Sequence, residues 1–191
     1  MQIEVVLALP GIGMTVPDSL PPARAGTMLM FLPGRITMNN SARIFAPDLR
    51  QRPPRSPRCR LGGYVTLPRM LDKGRATIMS RNGEFNYDAP FDQHVINFLG
   101  FDPAALLEQL ATGQGDGEIL GWIEANSKHR RLPWEIGQWS EYMLRRTPDS
   151  DEETLLFFFR RIGSFSKTRE DIKTWMDLID LDDHVTFGGK A

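Results

Sequence analysis

Apolar positions recur at helical spacing through most of the chain from residue 67 onward, and they predict seven helices. Leu67, Leu71, Gly74 and Ile78 form one stripe behind Pro68, whose fixed φ suits the first turn, and Gly83 is the expected stop. A second helix fits 90–99, with Phe91, Val95, Phe98 and Leu99 on one face and Gly100 at its end. Asp102-Pro103 opens a third helix through Ala111, since an Asp cap followed by proline is a start signal. Asp116 caps a fourth carrying Ile119, Leu120 and Ile123, and Pro133 opens a fifth to about Arg146 with Ile136, Trp139 and Met143 inside. The sixth starts at Asp149 or Ser150. Its centre, Leu155-Leu156-Phe157-Phe158-Phe159, is apolar all round and implies burial on more than one side. Thr168 with Asp171 three residues later reads as the capping box of a seventh helix running to about Asp180. Short connections between these elements fit antiparallel packed helices.

Upstream the pattern changes. Arg50, Arg52, Arg55, Arg58 and Arg60 alternate with Pro53, Pro54 and Pro57, which disfavours helix and predicts an extended surface segment. Gly62-Gly63 makes a turn, and Tyr64-Val65-Thr66 is strand-like, with Glu84–Asp88 as its expected partner. Residues 1–45 hold five methionines and few charges, and prolines and glycines break every periodic run. They read as a poorly ordered extension. Ile3–Leu9 is strand-like without a partner in sequence, and Met38-Asn39-Asn40-Ser41 is an alternative start that would leave 1–37 untranslated. The expected fold class is mainly α: a single compact multi-helix domain over 46–187 with at most a short two-stranded β element.

Composition narrows the function classes. A net charge of −1 argues against a whole-protein attraction to nucleic acid or to a membrane surface. No apolar run approaches the roughly 20 residues of a membrane span, and Glu4, Pro10 and Gly11 spoil a secretory signal. One cysteine, Cys59, excludes an intramolecular disulfide and favours a cytoplasmic setting. Charge is also polarised along the chain. Ser41–Arg81 holds ten Arg/Lys against two acids, and Pro148–Ala191 ten acids against six bases. The simplest consequence is that the basic front docks on the acidic rear; the sharper one is a basic surface for a partner.

Familiar catalytic patterns are weak. Gly11-Ile-Gly13 lacks the third glycine and the following helix of a dinucleotide site. His94, His129 and His184 stand far apart, so no metal is expected, and Asp180–His184 reads as a solvated acidic cluster. Ser164-Phe-Ser-Lys167 lacks its companion motifs, and Ser166 reads as turn chemistry. Cys59 between Arg58 and Arg60 has cations that favour a thiolate but no assignable base. The four tryptophans, Trp122, Trp134, Trp139 and Trp175, read as core or inter-helix contacts. No cofactor is expected.

The densest segment is 57–76, where a diglycine precedes a short helix rich in charge. Arg69, Asp72 and Arg75 step by three and Arg69 and Lys73 by four, so they are helix-surface neighbours. Arginine forks beside a helix start can hold a carboxylate or phosphate; the same charges can instead form an internal network with the acidic rear helices.

These residues also carry a resemblance. Pro54-Arg-Ser-Pro-Arg58, Leu61-Gly-Gly-Tyr64, Leu67-Pro-Arg69, Asp72-Lys-Gly-Arg-Ala76, Phe85-Asn-Tyr-Asp88, Asp92-Gln93, Phe98-Leu-Gly100, Glu135-Ile136 and Thr174–Asp180 resemble an uncharacterised bacterial family known only as a domain of unknown function (number 5069). The resemblance spans about 46–187. It implies a small soluble bacterial protein and supplies no activity, substrate or catalytic residue.

The leading expectation is therefore a module that binds a small molecule or anion, with Arg58, Arg60, Tyr64, Arg69, Lys73 and Arg75 lining the site and Asp72 and Asp92 orienting the cations. The alternatives are an enzyme acting on an anionic metabolite through Tyr64, Asp72 or Lys73, and a protein-interaction module using the Arg/Pro segment 50–60. Nucleic acid is not expected there, because no aromatics interleave with the arginines. The oligomeric state is left open by the sequence.

Overall fold

The computed structural model describes residues 44–191. The extension expected over 1–45 lies outside the described residues except for its last two, as do the Ile3–Leu9 run, the Gly11/Gly13 pair and the alternative start at Met38.

The described chain is mainly α-helical, with one two-stranded sheet. Strands β1 (Arg60–Leu61) and β2 (Tyr64–Val65) form a hairpin in which Arg60 pairs with Val65 and Leu61 with Tyr64. The helices are α1 (Leu67–Ile78), α2 (Gln93–Leu99), α3 (Pro103–Leu110), α4 (Asp116–Asn126), α5 (Pro133–Arg145), α6 (Glu152–Phe165) and α7 (Trp175–Thr186).

The hairpin corrects the expected pairing of Tyr64–Thr66 with 84–88. Gly62 and Gly63 have φ of 58° and 88°. Positive φ at both central residues is what a tight two-residue turn needs to match the strand twist. The chain therefore folds straight back on itself at small loop-closure cost.

Helix ends follow the local chemistry. Asp102 accepts the Ala104 N–H at 2.9 Å and Asp151 accepts the Thr154 N–H at 2.9 Å. Gly100 stops α2 at φ 74°. Several boundaries differ from expectation: α2 starts at Gln93 rather than 90, Gly115 rather than Asp116 is the cap of α4, α6 starts at Glu152 rather than at 149 or 150, α7 runs on to Thr186, and two further ends shift for local reasons. α1 ends at Ile78, five residues before Gly83. α7 starts after Thr174, whose hydroxyl accepts the Asp177 N–H at 3.1 Å while Asp177 accepts the Thr174 N–H at 2.8 Å. Thr168 and Asp171 have the same spacing, but Ile172 is the one apolar residue behind them; Trp175, Met176, Leu178 and Leu181 follow the second box.

The larger core gathers Leu67, Met70 and Leu71 of α1 with Val95, Leu99, Leu106, Leu110, Ile119 and Ile123. A second apolar cluster joins Phe158 and Ile162 of α6 to Ile172, Leu178 and Leu181. Val65, Met143 and Met176 form a third, where the hairpin, α5 and α7 meet. Trp139 stacks on Phe98 at 4.8 Å, as a core contact should. Trp134 instead lies exposed on the outer face of α5, against expectation.

Candidate functional site

α1 is buried along ten consecutive residues, Leu67 to Ala76, although four of them are charged. An apolar stripe alone would leave Arg69, Asp72, Lys73 and Arg75 in water. They are covered because other elements bring acids and one more arginine over them.

Lys73 is the most deeply placed. Its Nζ lies 2.7 Å from Asp92 Oδ2, with side-chain exposures of 6% and 3%. Asp92 stands just ahead of α2 and also accepts the Ala89 N–H at 3.2 Å. Burial pushes the Lys73 pKa down and the Asp92 pKa up, while the contact between them opposes both shifts. Tyr87 is partly buried, and its hydroxyl donates to the Pro103 carbonyl at 2.9 Å.

Arg69 forms a two-pronged pair with Asp183 of α7, at 2.6 Å and 3.0 Å, and its guanidinium lies 5.5 Å from the Phe85 ring centre. Burial raises the Asp183 pKa, Arg69 opposes the rise, and the neighbouring Asp180 and Asp182 add to it.

Asp72 and Asp116 share the remaining cations. Arg55 donates Nε and Nη2 to the two oxygens of Asp72 at 2.9 Å and 2.8 Å, and Nη1 to Asp116 at 2.6 Å. Arg75 donates Nη1 to the other Asp116 oxygen at 2.6 Å and Nη2 to the Gln114 carbonyl at 3.1 Å. One carboxylate at the start of α4 thus bridges two guanidiniums. Burial alone would raise the Asp116 pKa, but the hydrogen bonds from Arg55 and Arg75 outweigh it and hold it below the ordinary value. Burial likewise works against the charge of Arg55, and the two carboxylates outweigh it, keeping its pKa above the ordinary value.

The residues expected at a site therefore separate. Arg69, Asp72, Lys73, Arg75 and Asp92 come together around α1. Arg58 turns to α7, meeting Asp180 at 2.9 Å and Asp177 at 2.5 Å. Arg60 reaches Glu141 of α5 at 2.7 Å. Tyr64 enters the apolar core edge-on to Trp139, and burial raises its pKa. With Ser56 donating to Asp180 at 2.8 Å, the basic front of the sequence does dock on the acidic rear.

Three members of the network were not anticipated. Arg55 belonged to a segment read as surface-running, Asp116 was read as a helix cap, and Asp183 as part of a solvated cluster. Asp183 is buried, because α7 turns that face toward Arg69. The only advance signal was the charge imbalance between the front and rear of the chain.

One face of the network opens into a cleft of about 610 Å³. Arg52, Arg55, Arg75, Asp72, Asp116 and Gln114 form its polar wall, and Phe45, Pro47 and Pro53 its apolar wall. Three guanidiniums there face two carboxylates, an excess of one positive charge. Arg52 makes no side-chain ion pair among the described residues. Cys59 is exposed and free. Among the described residues no group of three or more His, Cys, Asp or Glu side chains is placed to hold a metal ion, and no helix is long and apolar enough to cross a membrane.

No curated protein matches the chain. A family model described as a domain of unknown function (DUF5069) matches residues 51–185, a stretch that contains every member of the α1 network. The match covers well over half of the chain, and the protein belongs to that family.

Proposed function

We propose that the domain binds a small anionic molecule in the cleft walled by Arg52, Arg55 and Arg75. The supporting observation is the charge excess at that opening, set beside an apolar wall. Its volume falls within the roughly 300–1,000 Å³ usual for small-molecule sites, which combine a mostly apolar lining with a few fixed polar groups. The anion meets Arg52 and the outer edges of Arg55 and Arg75, whose other donors are held by Asp72, Asp116 and the carbonyls of Pro68 and Gln114. Arg52 and Arg75 keep donor pairs suited to a carboxylate or phosphate, whereas Arg55, held by Asp72, Asp116 and the Pro68 carbonyl, adds its charge and one remaining N–H.

Arg69 and Lys73 are not ligand contacts on this reading. Both are buried and already paired, so they support the cleft from behind. Binding is preferred to catalysis because Asp72 lines the cleft whereas Tyr64 and Lys73 do not. The exposed thiol of Cys59 suits a soluble protein of the cytoplasm.

The test is native mass spectrometry of the purified chain for a co-purifying small molecule, followed by thermal melts with inorganic phosphate and with succinate. Ligand at 100 times its Kd should stabilise the fold by about 2.7 kcal/mol. Arg52→Ala should remove that gain and leave the unliganded melt unchanged, because Arg52 is exposed and outside the network. No bound molecule, together with no melt response to either anion, sinks the reading and leaves the network as scaffold.

A further inference from the structure

The apolar run at the centre of α6 is only half used by the described residues. Phe158 and Ile162 are buried against α7 and Ile172. Away from that packing Leu156 and Phe157 are 43% and 59% exposed, Phe157 touching α7 only by the edge of a stack on Trp175 at 6.3 Å, and Phe159 beside them is 62% exposed. A helix apolar all round is buried on more than one side, and the described residues provide one.

The outward stripe is Glu153, Leu156, Phe157, Arg160 and Ser164, which together line a shallow groove along the helix. Its order is acid, apolar, apolar, base, and it is symmetric about the point between Leu156 and Phe157. Glu153 and Arg160 lie equally far from that point, about 5 Å each along the axis at 1.5 Å rise per residue. Arg161 also borders the groove but is already paired with Asp182 at 2.7 Å, whereas Glu153 and Arg160 make no ion pair among the described residues. Gly163, toward the end of the helix, has open space where a Cβ would stand, so nothing among the described residues packs against it there.

We propose that this face is the contact of a two-fold symmetric dimer of the chain. With two copies of α6 antiparallel and the axis between Leu156 and Phe157, Leu156 of each copy meets Phe157 of the other. Glu153 of each copy then meets Arg160 of the other. An isologous contact requires a surface complementary to itself, and the stripe meets that requirement in both charge and apolar content. An unrelated partner would place no such symmetry on it. A single helix pair is a small contact beside the roughly 1,200–2,000 Å² of a standard stable interface, so the dimer is concentration-dependent.

Sedimentation velocity on the full chain across a wide concentration range reads this directly. The wild type should pass from monomer to dimer, and Phe157→Asp should remain monomeric with an unchanged circular dichroism spectrum. Glu153→Arg and Arg160→Glu should each weaken the dimer about tenfold by setting like charges opposite one another. The combined Glu153→Arg/Arg160→Glu variant should restore it. These charge swaps lie on the exposed face and do not disturb the α6–α7 packing. A wild type that stays monomeric throughout, a dimer indifferent to Phe157→Asp, or a combined swap no better than the single ones overturns the proposal.

Discussion

Replacing Lys73 by Met isolates the energetics of the α1 network. Met has nearly the volume of the lysine stem, so packing is kept and a charge is lost. Asp92, with a side chain 3% exposed, then keeps only the Ala89 N–H as a donor and, as a more distant cation, Arg69, which is itself held by Asp183. Removing one member of a buried ion pair typically costs about 3–5 kcal/mol, because the other is stranded in a poorly solvating interior. At about 2–4 °C per kcal/mol for a domain of this size, the melting temperature should fall by about 6–20 °C. The double variant Lys73→Met/Asp92→Leu removes both charges. It strands only the Ala89 N–H, at a cost of about 1–3 kcal/mol, so it should be more stable than the single variant.

The sign of the pH dependence follows from the same geometry. The Asp92 pKa is already raised in the folded state by burial, and losing Lys73 removes its chief opponent. A carboxyl with a raised folded pKa favours folding at low pH and loses that contribution as pH rises through the folded value. The deficit of Lys73→Met relative to wild type should therefore shrink as the solution is acidified from neutrality. Urea unfolding at several pH values measures both effects. A single variant within about 1 kcal/mol of wild type, or a double variant worse than the single one, refutes the assignment of a stranded charge.

Gly74→Ala should destabilise by about 1–3 kcal/mol although alanine is the better helix former, because overpacking outweighs propensity. The new Cβ would sit 2.6 Å from Leu110 Cδ1 and 3.3 Å from the Tyr87 ring, at a site with no slack; a chemical melt no different from wild type contradicts this. Thr66→Gly should stabilise by about 1 kcal/mol, as relief of backbone strain exceeds the glycine entropy cost. Thr66 has φ 64° and a buried hydroxyl without a partner, and a lower melting temperature for the glycine variant would count against that strain. The Asp116 pKa is depressed from 3.8, so its stabilisation is full above that value and lost as pH falls further. The stability gap between wild type and Asp116→Asn should accordingly close in strong acid, and a gap constant down to pH ~2.5 would remove Asp116 from the acid limb.

Seven helices were legible because each carries an apolar stripe and a local start or stop signal. The misplaced start of α7 is instructive. Thr168/Asp171 and Thr174/Asp177 are equivalent as caps, and the winner is set by the apolar residues that follow, Trp175, Met176, Leu178 and Leu181. The hairpin departs from the expected pairing with 84–88 because the Gly62-Gly63 turn, with both residues at positive φ, closes it locally. The site was legible only on one side. Helical spacing grouped Arg69, Asp72, Lys73 and Arg75, but their partners lie far along the chain: Arg55 is 17 residues from Asp72, Asp116 is 41 from Arg75, and Asp183 is 114 from Arg69. No local pattern encodes which of ten rear acids turns inward. That choice belongs to the packing of α7.

The partners of the α1 cations come from three separate parts of the fold: Asp92 ahead of α2, Asp116 at the start of α4 and Asp183 in α7. Apolar packing is non-directional, and helices with Leu, Ile and Met faces can slide by a turn at modest cost. A two-pronged arginine–carboxylate pair cannot, since a shift of one residue strands both charges. The network therefore acts as a set of addresses that fixes α2, α4 and α7 against one helix. This accounts for buried ions where apolar residues would be at least as stable. It also separates uniqueness from stability in the Lys73→Met/Asp92→Leu variant. Near wild-type urea stability, combined with broadened amide resonances in α1 and α2, would mean that the ion pair contributes a single arrangement more than free energy. Sharp, wild-type-like resonances in that variant would return the task of alignment to the apolar core.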